Sequence, residues 1–176
     1  MAGRDTTYLY DTADRLTRIT DPASQLTQFE YNARSQTTKA IDALNQQYQF
    51  SYDALGRVTQ ITRAGLTMSY TYDAVGNRTQ RTDYKGAVTN YTFDDLNRLT
   101  SIAYPDLTTA TYGYDTLSRL TSAANQNGTV TFAYDSRSRM TSTTDVWGQT
   151  IGYSYDANGN RTAMTVGWRC LCELPV

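Results

Sequence analysis

The sequence predicts an all-β protein built from tandem antiparallel β-hairpins of about 21 residues each. Three observations predict it. An aromatic-x-aromatic-Asp word recurs along nearly the whole chain, and the interval between copies hardly varies. The composition is β-branched and aromatic as well, with 30 Thr and 15 Tyr against 3 Pro and no His among 176 residues, a bias that favours pleated strands over helices.

The word opens with Tyr8-Leu9-Tyr10-Asp11 and returns as Phe29-Glu30-Tyr31-Asn32, Phe50-Ser51-Tyr52-Asp53 and Tyr70-Thr71-Tyr72-Asp73. It continues as Tyr91-Thr92-Phe93-Asp94, Tyr112-Gly113-Tyr114-Asp115, Phe132-Ala133-Tyr134-Asp135 and Tyr153-Ser154-Tyr155-Asp156. Successive second aromatics lie 20 or 21 residues apart in these eight copies. Aromatics at i and i+2 share one face of a strand and supply a stripe for burial.

Four residues after each second aromatic stands a small or turn-tolerant residue: Asp14, Ser35, Gly56, Gly76, Asn97, Ser118, Ser138 or Gly159. Asp at the head of a four-residue turn accepts a hydrogen bond from a turn amide, and Gly or Asn at its end tolerates a left-handed backbone. Asp-x-x-Gly is therefore read as a hairpin tip. Arg follows directly at Arg15, Arg57, Arg98, Arg119 and Arg139, and one residue later at Arg78 and Arg161. It suits a returning strand on which it lies along aromatic or carboxylate neighbours. Seven residues after each second aromatic comes a threonine, from Thr17 to Thr162, expected to pack on the pleat; alternation weakens beyond it. The second copy, with Asn32, Ser35 and Gln36, departs furthest from the word.

A second turn falls in the other half of each period, at Asp21-Pro22, Asp42 to Asn45, Ala64-Gly65, Asp83 to Gly86, Pro105-Asp106, Asn127-Gly128 and Asp145 to Gly148. Strands of about six residues alternate with turns, which gives sixteen strands. A sheet of that many strands is expected to curl into a curved or spiral ribbon.

Word and spacing resemble the YD repeat of the Rhs family, found also in the C components of insecticidal toxin complexes and in teneurins; the resemblance spans about Tyr8 to Gly167. It implies a β-shell of hairpins that encloses or presents a toxin domain, in proteins that are exported or on the cell surface, some of them linked to carbohydrate. The implied structural motif residues are Tyr10, Asp11, Tyr52, Asp53, Gly56, Arg57, Tyr72, Asp73, Gly76, Tyr114, Asp115, Tyr134, Asp135, Tyr155, Asp156 and Gly159. Family shells close with a core segment bearing self-cleavage aspartates. Asp21-Pro22-Ala23-Ser24 is the nearest string and lies inside an ordinary turn, so no autoprotease residue carries over.

The organisation read from the sequence is a lead-in over 1–7, the array over 8–167 and a tail of different composition over 168–176. The chain reads as a fragment of a larger repeat protein. Its partners are expected to be the parent polypeptide or toxin domain and further copies of itself, since a cut array leaves unpaired edge strands. Trp168, Leu171 and Leu174 are candidates to cap such an edge. Cys170 and Cys172 stand too close for an easy bridge to each other.

Charge and composition exclude several functions. Sixteen Lys and Arg balance 17 Asp and Glu to a net −1, so there is no positive field to gather nucleic acid. No apolar run approaches the roughly 18 residues of a membrane-spanning helix, and Met1-Ala2-Gly3-Arg4-Asp5 lacks the order of a signal peptide. Without His, with no Cys inside the array and with only Glu30 and Glu173 as glutamates, the usual bases, thiol nucleophiles and imidazole metal ligands are absent. Paired aspartates could serve a glycosidase, and Asp94-Asp95 and Asp11 with Asp14 are the closest pairs in sequence, but most of these occupy repeated turn positions. Residues that break the repeat, Asp95, Lys85 and Trp147, would be the better catalytic candidates, and no enzyme is expected. Calcium loops need several oxygen ligands within about a dozen residues, and each unit offers one Asp followed by Arg. No cofactor or metal is expected. Carbohydrate is the competing ligand, since aromatic faces stack on sugar rings, and Trp147, Tyr84 and Tyr104 lie off the main ladder and are its candidate contacts.

Overall fold

A computed structural model describes residues 5–167. It contains sixteen antiparallel strands and no helix among the described residues. The chain divides into two compact units, one up to Val88 and one from Thr89 onward. The first holds β1 (Thr7–Tyr10), β2 (Leu16–Thr20), β3 (Leu26–Tyr31), β4 (Thr37–Ile41), β5 (Gln47–Tyr52), β6 (Val58–Arg63), β7 (Leu66–Tyr72) and β8 (Arg78–Thr82). The second holds β9 (Val88–Phe93), whose first residue belongs to the other unit, β10 (Leu99–Ala103), β11 (Thr109–Tyr114), β12 (Leu120–Asn125), β13 (Gly128–Tyr134), β14 (Met140–Thr144), β15 (Thr150–Tyr155) and β16 (Arg161–Gly167). Within each unit the strands pair in chain order, as a meander of hairpins requires. The expected tail contacts of Trp168, Leu171 and Leu174, and the cysteines Cys170 and Cys172, lie outside the described residues.

The first turn of every period and five of the second turns follow one rule. In the first, the N–H of Asp53 donates to the carbonyl of Arg57 and the N–H of Gly56 donates back to the carbonyl of Asp53, each at 3.0 Å. This is a type I turn closed by one left-handed residue. All eight residues expected at the left-handed place adopt positive φ, from 56° at Asp14 to 105° at Gly76. Glycine is demanded most firmly at position 128, where φ is 132° and a Cβ would stand 2.9 Å from Val146 Cβ. The second turns repeat the pattern at Ser24, Asn45, Gly86, Leu107 and Gly148. Two differ from expectation. Tyr104, not an aspartate, heads the turn around Pro105-Asp106. The turn expected at Asn127-Gly128 falls one residue earlier, with Gly128 already paired to Asn125 in the strand.

The threonine seven residues after the second aromatic corrects the expectation that it packs as an ordinary pleat residue. Ser51 stands opposite Gln60 and Tyr52 opposite Val58, so Thr59 has no partner across the ladder. The same skip leaves out Thr17, Thr38, Thr79, Thr100, Thr121, Thr141 and Thr162. Each is the extra residue of a β-bulge, which bends the returning strand and breaks its alternation. Its hydroxyl helps fill the gap: Thr17 Oγ1 donates to the Leu9 carbonyl at 3.2 Å and Thr100 Oγ1 to the Thr92 carbonyl at 3.1 Å. The second turns after β2, β4, β6, β10, β12 and β14 carry no such shift.

Register sorts the side chains into two faces. One carries the aromatics, with the first of each pair opposite Ile19, Ala40, Ile61, Arg81, Ile102, Ala123, Thr143 or Met164. The other face in the second unit holds small and hydroxyl residues, such as Thr92 beside Ser101 and Thr131 beside Thr144. In the first unit that face also bears Arg18, Glu30 and Lys39. Among the described residues no second layer covers either face. Ala110 and Thr89, at 8% exposure, are the only described residues that count as buried. Packing is therefore lateral, rung against rung.

Leu107 sits at φ 68° in its turn and is 92% exposed. A leucine there bears the left-handed strain without any packing in return. Leu107→Asn, which tolerates this conformation, is expected to raise stability by about 1 kcal/mol, read as a higher urea midpoint.

Candidate functional site

The polar groups of the repeat build one recurring constellation. Oδ1 of Asp53 accepts the backbone N–H groups of Leu55 and Arg57, at 3.0 and 2.9 Å, and Oδ2 accepts Nε of Arg57 at 2.7 Å. Asp11, Asp94, Asp115 and Asp135 do the same with Arg15, Arg98, Arg119 and Arg139. Each carboxylate thus caps its own turn and orients the arginine four residues on.

The arginine then reaches the next hairpin. Nη1 of Arg15, Arg57, Arg98, Arg119 and Arg139 donates, at 2.8 to 3.2 Å, to the carbonyls of Asn32, Asp73, Asp115, Asp135 and Asp156. The same guanidinium lies over the ring of Tyr31, Tyr72, Tyr114, Tyr134 or Tyr155, 4.5 to 5.0 Å from its centre. A return bond completes the joint. The hydroxyls of Tyr31, Tyr52, Tyr72, Tyr114, Tyr134 and Tyr155 donate to carbonyls of the preceding hairpin at 2.7 to 2.9 Å, such as those of Leu16 and Leu120.

The second hairpin, the least regular in sequence, keeps this geometry without charge. Asn32 Nδ2 donates to Gln36 Oε1 at 2.8 Å, and Gln36 Nε2 reaches the Gly56 carbonyl at 3.1 Å. Arg34 and Arg137, two places before the joint position, donate to the carbonyls of Ala54 and Ala157. In the Gly-Asn-Arg copies Asn77 and Asn160 donate to Oδ2 of Asp73 and Asp156, both at 2.9 Å. The displaced Arg78 and Arg161 turn to the rings of Tyr70 and Tyr153, each at 5.5 Å.

Donors around the turn carboxylates hold them below their ordinary range. For Asp11, Asp53, Asp115 and Asp135 the backbone N–H of the arginine four residues on is the largest cause; desolvation opposes it and the guanidinium adds to it. At Asp94 the Arg98 side chain leads, and at Asp156 the Asn160 side chain. A carboxylate held ionised by its donors suits a cap and not a general acid.

Other candidates are not brought together. Asp94 is a turn cap, and neighbouring Asp95 is exposed. Asp14 occupies the left-handed place after Asp11. Among the described residues no three His, Cys, Asp or Glu side chains come close enough to hold a metal ion. Trp147, at 78% exposure, and Tyr104, at 40%, stand on separate turns of the second unit. Four strand spacings of about 4.8 Å lie between those turns, roughly 19 Å. Tyr84 lies in the turn after β8 in the other unit.

A family model described as RHS Repeat matches residues 10–44, 31–68, 72–109 and 114–146, most of the chain. Among curated proteins none matches significantly. Solved structures share the fold: a Photorhabdus luminescens Tc holotoxin pore at TM-score 0.65 and 20% identity, over 81% of this chain and 9% of that one. A TcdB2-TccC3 crystal structure matches at TM-score 0.67 and 18% identity, over 92% of this chain and 11% of that one. The same pair without its hypervariable C-terminal region matches at TM-score 0.67, 18% identity, 92% of this chain and 10% of that one. The chain spans about a tenth of the length of these chains.

Two outcomes follow from the joint. Tyr134→Phe, which deletes the bond to the Leu120 carbonyl and keeps the ring, is expected to cost about 1 kcal/mol. Arg119→Ala is expected to lower the urea midpoint further, and Arg119→Gln less than Arg119→Ala, because glutamine can still reach a neighbouring carbonyl. The second outcome concerns pH. Above the ordinary aspartate value of 3.8 folded and unfolded chains are both ionised, and the stabilisation from depressed carboxylates is fully present. As pH falls below 3.8 the unfolded chain takes up protons first, and stability is lost until the folded aspartates protonate too. The urea midpoint should be flat down to about pH 5 and fall below about pH 4, with a shallower fall in Asp53→Asn.

Proposed function

The chain belongs to the RHS repeat family, and from this we propose that it is a non-catalytic shell or scaffold segment that packages or presents a partner domain of a larger Rhs-type protein. One observation carries the reading: in each unit the strands present an aromatic face, and among the described residues no second layer covers it. A single sheet with both faces open is completed by something laid against it. The in-step use of Asp, Arg and Tyr in turns and joints supports a structural role, since a reaction needs a singular place with groups left over for substrate. In this reading residues 1–7 lead into the array at 8–167, and 168–176 form a separate tail. The parent is an exported or cell-surface protein; among the described residues no helix is long and apolar enough to cross a membrane.

Exposed edges add self-association. The whole of β1 is exposed, with Tyr8 at 53% and Tyr10 at 60%, and so is β16. Both strands pair on one side only within their units. Carbohydrate is a weaker reading, because Trp147 and Tyr104 stand too far apart to grip one sugar ring between them.

Light scattering on the chain alone should show oligomers at micromolar concentration. Joined to its partner domain, the array should be monomeric, and the partner should resist trypsin far longer than a flexible linker does. A monomeric lone chain, or a partner cleaved at the linker's rate, would defeat the proposal.

A further inference from the structure

On the face opposite the aromatics of the first unit lies a hollow of about 240 Å³, lined in part by Leu9, Arg18, Gln28, Glu30, Lys39 and Ile41. Register explains the grouping. Arg18 stands opposite Leu9 on one side and Gln28 on the other, Gln28 is opposite Ile41, and Glu30 is opposite Lys39. Three of these residues are the charged ones that set this face apart from its hydroxyl-lined counterpart in the second unit.

The charges are unevenly satisfied. Lys39 Nζ and Glu30 Oε1 form an ion pair at 3.1 Å. The Arg18 side chain makes no hydrogen bond or ion pair among the described residues, and its Nε is shielded from water without an acceptor. A guanidinium donor withdrawn from water with nothing to receive it calls for an explanation. Every arginine of the turn joint, by contrast, has a carboxylate, a carbonyl and a ring.

We propose that this hollow is a carboxylate-binding site, with Arg18 as the anchor, for an Asp or Glu side chain of a polypeptide lying across the sheet. The charge count selects the ligand. Lys39 and Glu30 neutralise each other, which leaves one positive charge on Arg18; a monoanion matches it, whereas a dianionic phosphate would also meet the Glu30 carboxylate. The planar fork of Arg suits a carboxylate, and rotation of its side chain brings Nε into that fork. Gln28 supplies an amide donor beside it. Leu9, 47% exposed, and Ile41 give apolar contact to the residues that flank the acid. The site serves any acidic chain laid on this face, packaged or not, so it does not rest on the scaffold reading.

The test uses the whole chain, 15N-labelled, and follows the Arg18 Nε–Hε resonance while blocked Leu-Glu-Leu or Leu-Gln-Leu peptide is added. The glutamate peptide should move that resonance saturably, and the glutamine peptide should leave it in place. Arg18→Lys should bind about tenfold more weakly, since it keeps the charge and loses the fork. Arg18→Gln should abolish the response with unchanged circular dichroism. Glu30→Gln should bind at least as tightly as the parent. Equal shifts with both peptides, no saturable shift with either, or an Arg18 resonance that answers only to Glu30→Gln would overturn the site; the last would reveal an internal Arg18–Glu30 pair.

Discussion

The turn carboxylate is the constraint from which the rest of the architecture follows. By taking two backbone N–H groups on Oδ1 it fixes the tip of the hairpin, and by taking a guanidinium on Oδ2 it aims the next side chain sideways. An arginine left to itself samples many rotamers; one tethered through Nε is held flat, with Nη1 directed at the neighbouring turn. The tip of one hairpin thereby places the tip of the next. A local hydrogen bond, spanning four residues, becomes a contact spanning sixteen or seventeen.

This lateral coupling explains how a sheet without an enclosed core holds together. Isolated hairpins are marginal in water, and stacking on one face cannot be completed within a single layer. Each joint adds an arginine over a tyrosine ring, a hydroxyl to a carbonyl and an amino group to another carbonyl. Stability is then close to a sum over nearest neighbours, as in other repeat proteins. The bulge belongs to the same device. By inserting Thr59 and its equivalents just after the arginine, it bends the returning strand at the position where the joint forms.

Much of this was legible because turn chemistry and strand period are local. The left-handed positions follow from Gly and Asn in the better copies, and from spacing alone at Asp14 and Ser118. The role of the invariant threonine was hidden, since a bulge residue and a pleat residue are both β-branched; the clue was the loss of alternation directly after it. The joint itself was visible only as an arginine with aromatic and acidic neighbours. Which neighbour belongs to which hairpin depends on register, and register depends on the bulge. Arg18 gave no signal at all, because nothing in its local sequence tells that its face of the sheet would leave it without a partner. Tyr104 at the head of a turn was similarly masked by the Pro-Asp beside it.

The second hairpin decides what the joint requires. Asn32 and Gln36 carry no charge, yet they close the same tip and still reach the next hairpin, at the Gly56 carbonyl in place of that of Asp53. Shape and hydrogen-bond direction are therefore sufficient, and charge reinforces them. That bears directly on chemistry. A catalytic carboxylate must be irreplaceable by its amide and must have a lone pair left for a substrate, whereas here the amide serves in the same place and both carboxylate oxygens of the other copies are already engaged. The repeated aspartates spend both their oxygens on the hydrogen bonds that make the fold.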